Sequence, residues 1–255
     1  MRARMSGGAP QRPERDIMTA RPGIEIPGPA GAPDAPLFSV VVPHFEGSVT
    51  TTELRRALDS LNAQTCRDFE ILLYHNGPKS IPFAEELDLA AYPNLACVEV
   101  TAAHDGQWGH SLRDRGIREA RGRYIVHLSA DNLLYPQALE SIRRTLAAPR
   151  RLRPGAPQGT DDAIVIFAVL MIGLQCDGRR VWYEARNSRE QAMILTGYPP
   201  RLGLIDCMQL VMRRDLWLGY GGWYDRTEQG DGRMYQRFAQ DHAVRYVPEV
   251  LGEHW

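Results

Sequence analysis

The chain has 255 residues, with 30 basic against 31 acidic side chains for a formal charge of −1, and 44% of its residues are hydrophobic. That length holds one large domain or two small ones around a real core, and the balanced charge excludes a global field that would recruit nucleic acid or an anionic membrane surface. Four scattered cysteines (Cys66, Cys97, Cys176, Cys207) include no CxxC pair, which argues against a zinc site or a disulfide scaffold, and the longest apolar run, "AIVIFAVLMIGL", falls short of the roughly 20 residues a membrane helix needs.

Residues 1–36 are rich in Gly, Pro, Ala and Arg and carry no periodicity, so they read as a disordered leader. They contain no apolar stretch of signal-peptide type. A cytoplasmic protein is expected, in peripheral contact with the inner membrane face at most. From residue 37 the pattern alternates. "LFSVVVP" reads as a strand ended by Pro43. "TTTELRRALDSLNAQ" spaces Leu54, Leu58 and Leu61 as a helix does, with Thr51 or Thr52 as its cap. "FEILLYHNG" and "LACVEVT" read as strands, "GHSLRDRGIREAR" as a helix and "RYIVHLS" as a fourth strand. "YPQALESIRR" opens a helix, with Pro136 in its first turn.

Between that fourth strand and this helix stands "SADN". Asp131 is therefore placed near the carboxyl end of a strand, where open α/β sheets bind ligands, or else serves as a helix N-cap. "APRRLRPGAPQGTDD" marks a boundary between residues 37–150 and 151–255. Beyond it, the apolar run at 163–174 reads as a buried strand, "CDGRRVWY" as a hairpin with an Asp-Gly turn, and "SREQAMILTG" as a short helix closed by Gly197. "GRMYQRF" then gives a helix and "RYVPEVL" a last strand. This β-α-β succession predicts an α/β fold with a mostly parallel sheet flanked by helices.

Three segments carry a family likeness. "SVVVPHFEGS…LRRALDSLNAQTCRDFEILLYHNGP" resembles the opening of family 2 glycosyltransferases of the GT-A fold, which read "SVIIPTYN…LxxxLxSLLxQTYxDFEIIVVDDGS". "WGHSLRDRGIREARGRYIVHLSADNLLYPQALE" is similar to "GGxAxARNxGIxxAxGEYIxFLDADDxxxPxxLE". "GGWYDRTEQGDGRMYQRFAQDHAVRYVPEVL" is similar to "GGFDExxxxxEDxDLxxRLxxxGYxIxYVPEVL". The resemblance implies a Rossmann-like GT-A domain, with a nucleotide-sugar-binding half at 37–150 and an acceptor-binding half at 151–255. It also implies inverting transfer of a sugar from a UDP- or GDP-linked donor to an acceptor hydroxyl.

Its site residues carry over position by position. Departure of a diphosphate calls for a divalent cation, Mn²⁺ or Mg²⁺, held by oxygen ligands. Asp131 keeps the last acid of the family's Asp-x-Asp, Ser129 replaces the first, Ala130 lies between, and Asn132 is placed to orient a metal-bound water. His254 stands where some GT-A enzymes supply an imidazole ligand. Pro43, His44, Phe45 and Glu46 stand where the base and ribose are cradled, and His75 and Asn76 replace the acidic base-reading turn. Arg113 matches the family's Arg and suits base or phosphate contact; Asp114 replaces the Asn after it. Asp231 falls in the slot of the general base that takes the acceptor's proton, and doubles as an N-cap; Glu228 is the fallback and Asp225 reads as structural. Trp223 and Tyr224, with Trp108, are candidates to pack sugar faces. Arg179, Arg180 and Arg186 are candidates for an anionic acceptor or a solvated loop. The acceptor is not readable, and a homodimer is left open. Two rivals stay open: a nucleotidyltransferase, although "PHFEGSVTTTE" lacks its phosphate-loop cations, and a non-catalytic sugar-nucleotide binder, favoured by Ser129 and His75.

Overall fold

The computed structural model describes residues 35–149, 164–176, 181–183 and 192–255. The readings on most of the leader, on the boundary loop and on Arg179, Arg180 and Arg186 lie outside these residues. In chain order the elements are β1 (Phe38–His44), α1 (Thr51–Asn62), β2 (Phe69–His75), α2 (Phe83–Glu86), β3 (Leu95–Val100), α3 (His110–Glu119) and β4 (Tyr124–His127). Then come β5 (Leu133–Leu134), α4 (Ala138–Ala147), β6 (Ile164–Ile172), β7 (Leu174–Cys176), β8 (Val181–Tyr183) and β9 (Ala192–Leu195). β10 (Leu210–Arg213), α5 (Arg214–Gly219), α6 (Gly230–Asp241) and β11 (Val244–His254) complete the described chain.

One sheet runs β3-β2-β1-β4-β10-β6-β11-β5, with β9 against β6. β1 pairs in parallel with both β2 and β4, in register Phe38↔Phe69 and Phe38↔Tyr124. β10 is antiparallel to both its neighbours, and β6 and β11 return to the common direction. The sheet is mostly parallel, as expected. β1 and β2 are buried along their whole length, which explains their unbroken apolar runs. Alternate residues serve opposite faces: Val40 and Val42 pack with Leu54, Leu58 and Leu61 of α1 and Leu139 and Ile142 of α4. Val41 packs on the other face with Leu112 and Ile117 of α3, Trp217 of α5 and Phe238 of α6.

The chain moves outward from β1 to β2 and β3, then crosses back to β4 on the other side. The carboxyl ends of β1 and β4 therefore flank a topological switch point. Several local readings are corrected. The α1 cap is Thr50, in a capping box: Glu53 N–H donates to Thr50 Oγ1 (3.3 Å) and Thr50 N–H to Glu53 Oε2 (2.7 Å). Pro136 precedes the α4 cap, Gln137, instead of sitting in the first turn. The strands of the predicted hairpin pair as β7 and β8. Of the segment expected as a helix before Gly197, the described part is instead β9, antiparallel to β6 from Val169↔Leu195 to Ile172↔Ala192, and residues 188–191 lie outside the described residues. Its Ala, Met and Leu favour a helix, but an open edge on β6 overrides that weak preference.

Candidate active site

A cavity of about 530 Å³ opens at the switch point. β1 contributes Pro43, His44 and the following Phe45; β4 contributes Ser129, Ala130 and Asp131 through the turn after it; α3 contributes Arg113 and β11 contributes His254. Asn76 lines it as well. With Trp108, ten residues singled out in the sequence thus converge on one space, although they come from five separate parts of the chain.

The turn after β4 closes with Asn132 N–H donating to Ser129 O (3.0 Å). Asp131 does not cap α4, which starts seven residues later at Ala138 with Gln137 as its cap. Arg56 Nη2 donates to the Asp131 carbonyl (2.6 Å), while the Arg56 guanidinium lies 4.1 Å from the centre of the Trp255 ring. Asn132 is buried and staples the end of β11, accepting from Trp255 N–H (3.1 Å); its amide does not face a water site as expected. Arg113 is buried too. It donates to Ser129 Oγ (2.8 Å), Cys207 Sγ (3.2 Å) and the Trp108 carbonyl (3.0 Å), and so places a cation behind the cavity wall.

His254 Nε2 lies 3.3 Å from Asp206 Oδ2. Burial works to raise the Asp206 carboxyl, but His254, the Met208 N–H and Arg113 outweigh it and hold the group down to about 2. Asp231, the second residue of α6, is half-buried: loss of solvent first, then the Asp206 carboxylate, push it up to about 6 against the Gly232 N–H it accepts. Asp231 is not the N-cap expected; Gln229 holds that position. Asp206 therefore pairs with His254 on the cavity and acts on Asp231, beyond it, through its charge alone. The sequence reading missed Asp206, which lies in the stretch that matched no family pattern. Its capping box with Gln209 is the one signal that marks it as fixed in place.

Whether these residues suit a divalent cation is a question of donors. Among the described residues no group of three or more His, Cys, Asp or Glu is arranged as a complete metal site. Asp131 and His254 nevertheless face the same cavity. The His254 Nε2 is turned to the Asp206 carboxylate, the kind of carboxylate–histidine pairing found around ligating histidines. One carboxylate and one imidazole leave most of an octahedral shell for phosphate oxygens and water, which fits Mn²⁺ or Mg²⁺ bound with its substrate.

The remaining candidates are placed differently. His75 is fully buried behind His44, their Nδ1 atoms 2.8 Å apart; burial lowers both rings, His44 to about 4. The Asn76 amide is engaged at both ends with Asp105: Nδ2 donates to Oδ1 (3.1 Å), and Asp105 N–H donates to Asn76 Oδ1 (3.2 Å). Phe45 stacks on His104, with centroids 4.3 Å apart, which makes the aromatic wall on the β1 side a pair. Glu46 turns outward to Ser80 and Lys79. Trp223 is 1% exposed and stacks on His110 in the core, out of reach of any acceptor; Tyr224 lies exposed against Phe238. Asp114 holds the turn at Trp223 N–H (2.9 Å), and Asp225 is bound by Thr227 and Arg233, as a structural residue would be. Glu228 is exposed before α6.

The family model described as "Glycosyl transferase family 2" matches residues 39–156. A PGL/p-HBAD biosynthesis glycosyltransferase of Mycobacterium tuberculosis is 33% identical over 103 residues, which is 40% of this chain and 38% of that protein. An uncharacterized glycosyltransferase of Rickettsia typhi is 31% identical over 106 residues, 42% of this chain and 30% of its own length. The match therefore spans well under half of these curated relatives. Among solved structures, S. aureus TarS 1-349 superposes with a TM-score of 0.60 at 13% identity, covering 85% of this chain and 59% of that one. The mannosyltransferase PcManGT from Pyrobaculum calidifontis, in complex with GDP-Man and Mn²⁺, gives 0.59 at 14% identity, covering 89% and 59%. At such identities the likeness establishes the fold, which is GT-A.

Proposed function

We propose that this chain, whose residues 39–156 match the family 2 glycosyl transferase model, transfers a sugar from a nucleoside diphosphate sugar to an acceptor hydroxyl, with inversion and with a divalent cation. The observation that carries this reading is the convergence of Asp131, His254 and Arg113 on the cavity at the switch point, with the near-neutral carboxyl of Asp231 coupled to it by the charge of Asp206. The neighbours solved with UDP-GlcNAc, UDP and GDP-Man support a nucleotide-linked donor, and the one with Mn²⁺ supports the cation.

On this reading the first half binds the donor and the second half the acceptor. Phe45 and His104 flank the base, and Asp131 with His254 would hold the cation. When bound, that cation neutralises charge on the departing diphosphate. Arg113 adds a fixed positive charge from behind, which costs no reorganisation as the diphosphate leaves. Asp231 takes the proton from the acceptor hydroxyl, and a basicity near neutrality suits that task. Among the described residues no helix is long and apolar enough to cross a membrane. The experiment is calorimetric titration with UDP-GlcNAc and GDP-mannose, with and without Mn²⁺, followed by proton NMR of any product. Mn²⁺-dependent binding and a product of opposite anomeric configuration are expected. Absence of binding to either donor class, or retained configuration, would overturn the reading.

A further inference from the structure

The loop that leads from β3 into α3 contains an expensive residue. Gly106, Trp108 and Gly109 all have left-handed backbone, with φ of 64°, 56° and 74°. Glycine takes that conformation freely, whereas a bulky side chain there is strained. Two of the three positions follow this rule and Trp108 does not. Among the described residues it is the one non-glycine with positive φ.

The strain is imposed from several sides. Arg113 Nη1 donates to the Trp108 carbonyl (3.0 Å). Gln107 N–H donates to Asp105 Oδ1 (3.1 Å), and the Gln107 side chain accepts from Arg226 (3.2 Å). His110 N–H closes the turn on the Gln107 carbonyl (2.8 Å). The indole gives little back to the fold, for its residue is 66% exposed. It does line the cavity. A strained backbone beneath an exposed aromatic at a cavity mouth points to use of the ring by a ligand.

The position selects which ligand part. On one side Trp108 is tied through Arg113 to Ser129 in the turn that carries Asp131. On the other, Gln107 and His110 tie the loop to Arg226 and the Thr227 carbonyl (3.1 Å), in the turn that leads to α6 and Asp231. The Phe45–His104 pair forms a separate aromatic wall. We propose that Trp108 is the platform for the transferred sugar of the donor: its indole face packs against the apolar C–H face of the sugar ring, between the diphosphate end of the cavity and the proposed general base, Asp231. The inference rests on the donor reading above and specifies its sugar contact.

The test uses the full chain and two variants, Trp108→Gly and Trp108→Phe. Calorimetry at fixed Mn²⁺ measures UDP against UDP-GlcNAc and GDP against GDP-mannose, and each protein is melted without ligand. Trp108→Gly relieves the strain and should melt about 2–4 °C higher. It should bind the bare nucleoside diphosphate as the parent does, but lose about tenfold in affinity for the nucleotide sugar, ~1.4 kcal/mol. Trp108→Phe should keep most of the sugar affinity and melt like the parent. Equal losses for nucleotide and nucleotide sugar, no loss for either, or a lower melting temperature in Trp108→Gly would overturn the platform while leaving the donor reading standing. A parent protein that binds none of the four compounds would remove the donor reading and the platform together.

Discussion

Replacing Asp231 with asparagine exchanges a half-buried ionisable group for a neutral one of the same shape, and Asn Oδ1 can still accept the Gly232 N–H that Asp231 accepts at 2.7 Å. In the unfolded chain the carboxyl ionises near its ordinary 3.8; in the folded protein burial and the Asp206 carboxylate move this to about 6. That distance corresponds to ~3 kcal/mol of preference for the neutral form. The sign follows from proton counts. Between about pH 4 and pH 6 the folded protein holds more protons than the unfolded one, so stability falls as pH rises through that window. Above it the ionised Asp231 imposes its full cost; below it there is none. Asp231→Asn escapes the cost, so at pH 7.5 it should be more stable than the parent by up to ~3 kcal/mol, a melting shift of roughly 5–10 °C, and the two should converge near pH 4. Turnover should move the other way, falling about a hundred- to ten-thousand-fold if the carboxylate is the base. Parent activity should rise with pH through about 6 and then level off. Urea unfolding at four pH values and initial rates at each test both halves. A variant no more stable than the parent at pH 7.5 would refute the electrostatic argument, and near-normal turnover would refute the base.

Asp131→Ala should abolish Mn²⁺-enhanced donor binding while leaving the urea midpoint nearly unchanged, since the side chain caps no helix; titration of Mn²⁺ against donor affinity checks it, and unaltered metal dependence would exclude Asp131 as a ligand. Arg56→Met removes the bond to the Asp131 carbonyl and the cation over Trp255, so the Mn²⁺ dissociation constant should rise several-fold with circular dichroism unchanged. Gly122→Ala would bring a methyl to 2.5 Å from the Ser39 backbone nitrogen in β1, which is fixed between β2 and β4; a loss of about 1–3 kcal/mol is expected from the urea midpoint.

The halves of this site differed in how far they could be read from the chain. The walls built by β1 and β4 were legible, because each is an unbroken apolar run ending in polar residues at the sheet edge, and local pattern decides that much. The partners of those polar residues were not. Asn76 had the chemistry to read a base, yet its amide is occupied by Asp105, from the loop after the next strand in the sheet. His75 and Trp223 had aromatic or polar surface to offer, yet tertiary packing buries both. Asp206 had only its capping box with Gln209 to mark it, and its meaning appears only when β10 and β11 bring it beside His254. The β9 misreading has the same root: a stretch in which three residues of four favour a helix was recruited by an open edge elsewhere in the chain.

The sheet order also bears on how the protein reaches its working form. None of the cavity walls belongs to a hairpin. β1 must find β4 across β2 and β3, β10 must enter between β4 and β6, and β11 must zip along β6 from Ile164↔Val244 to Met171↔His254. Each of these pairings closes a long loop before any contact rewards it, the situation that places mixed sheets among the slower folders. His254 arrives only with the last of them. A newly made chain therefore acquires its binding competence late, after most of its hydrophobic surface has already been committed, and the interval in which β6 stands with an open edge is the one in which it is most exposed to mispairing with another copy.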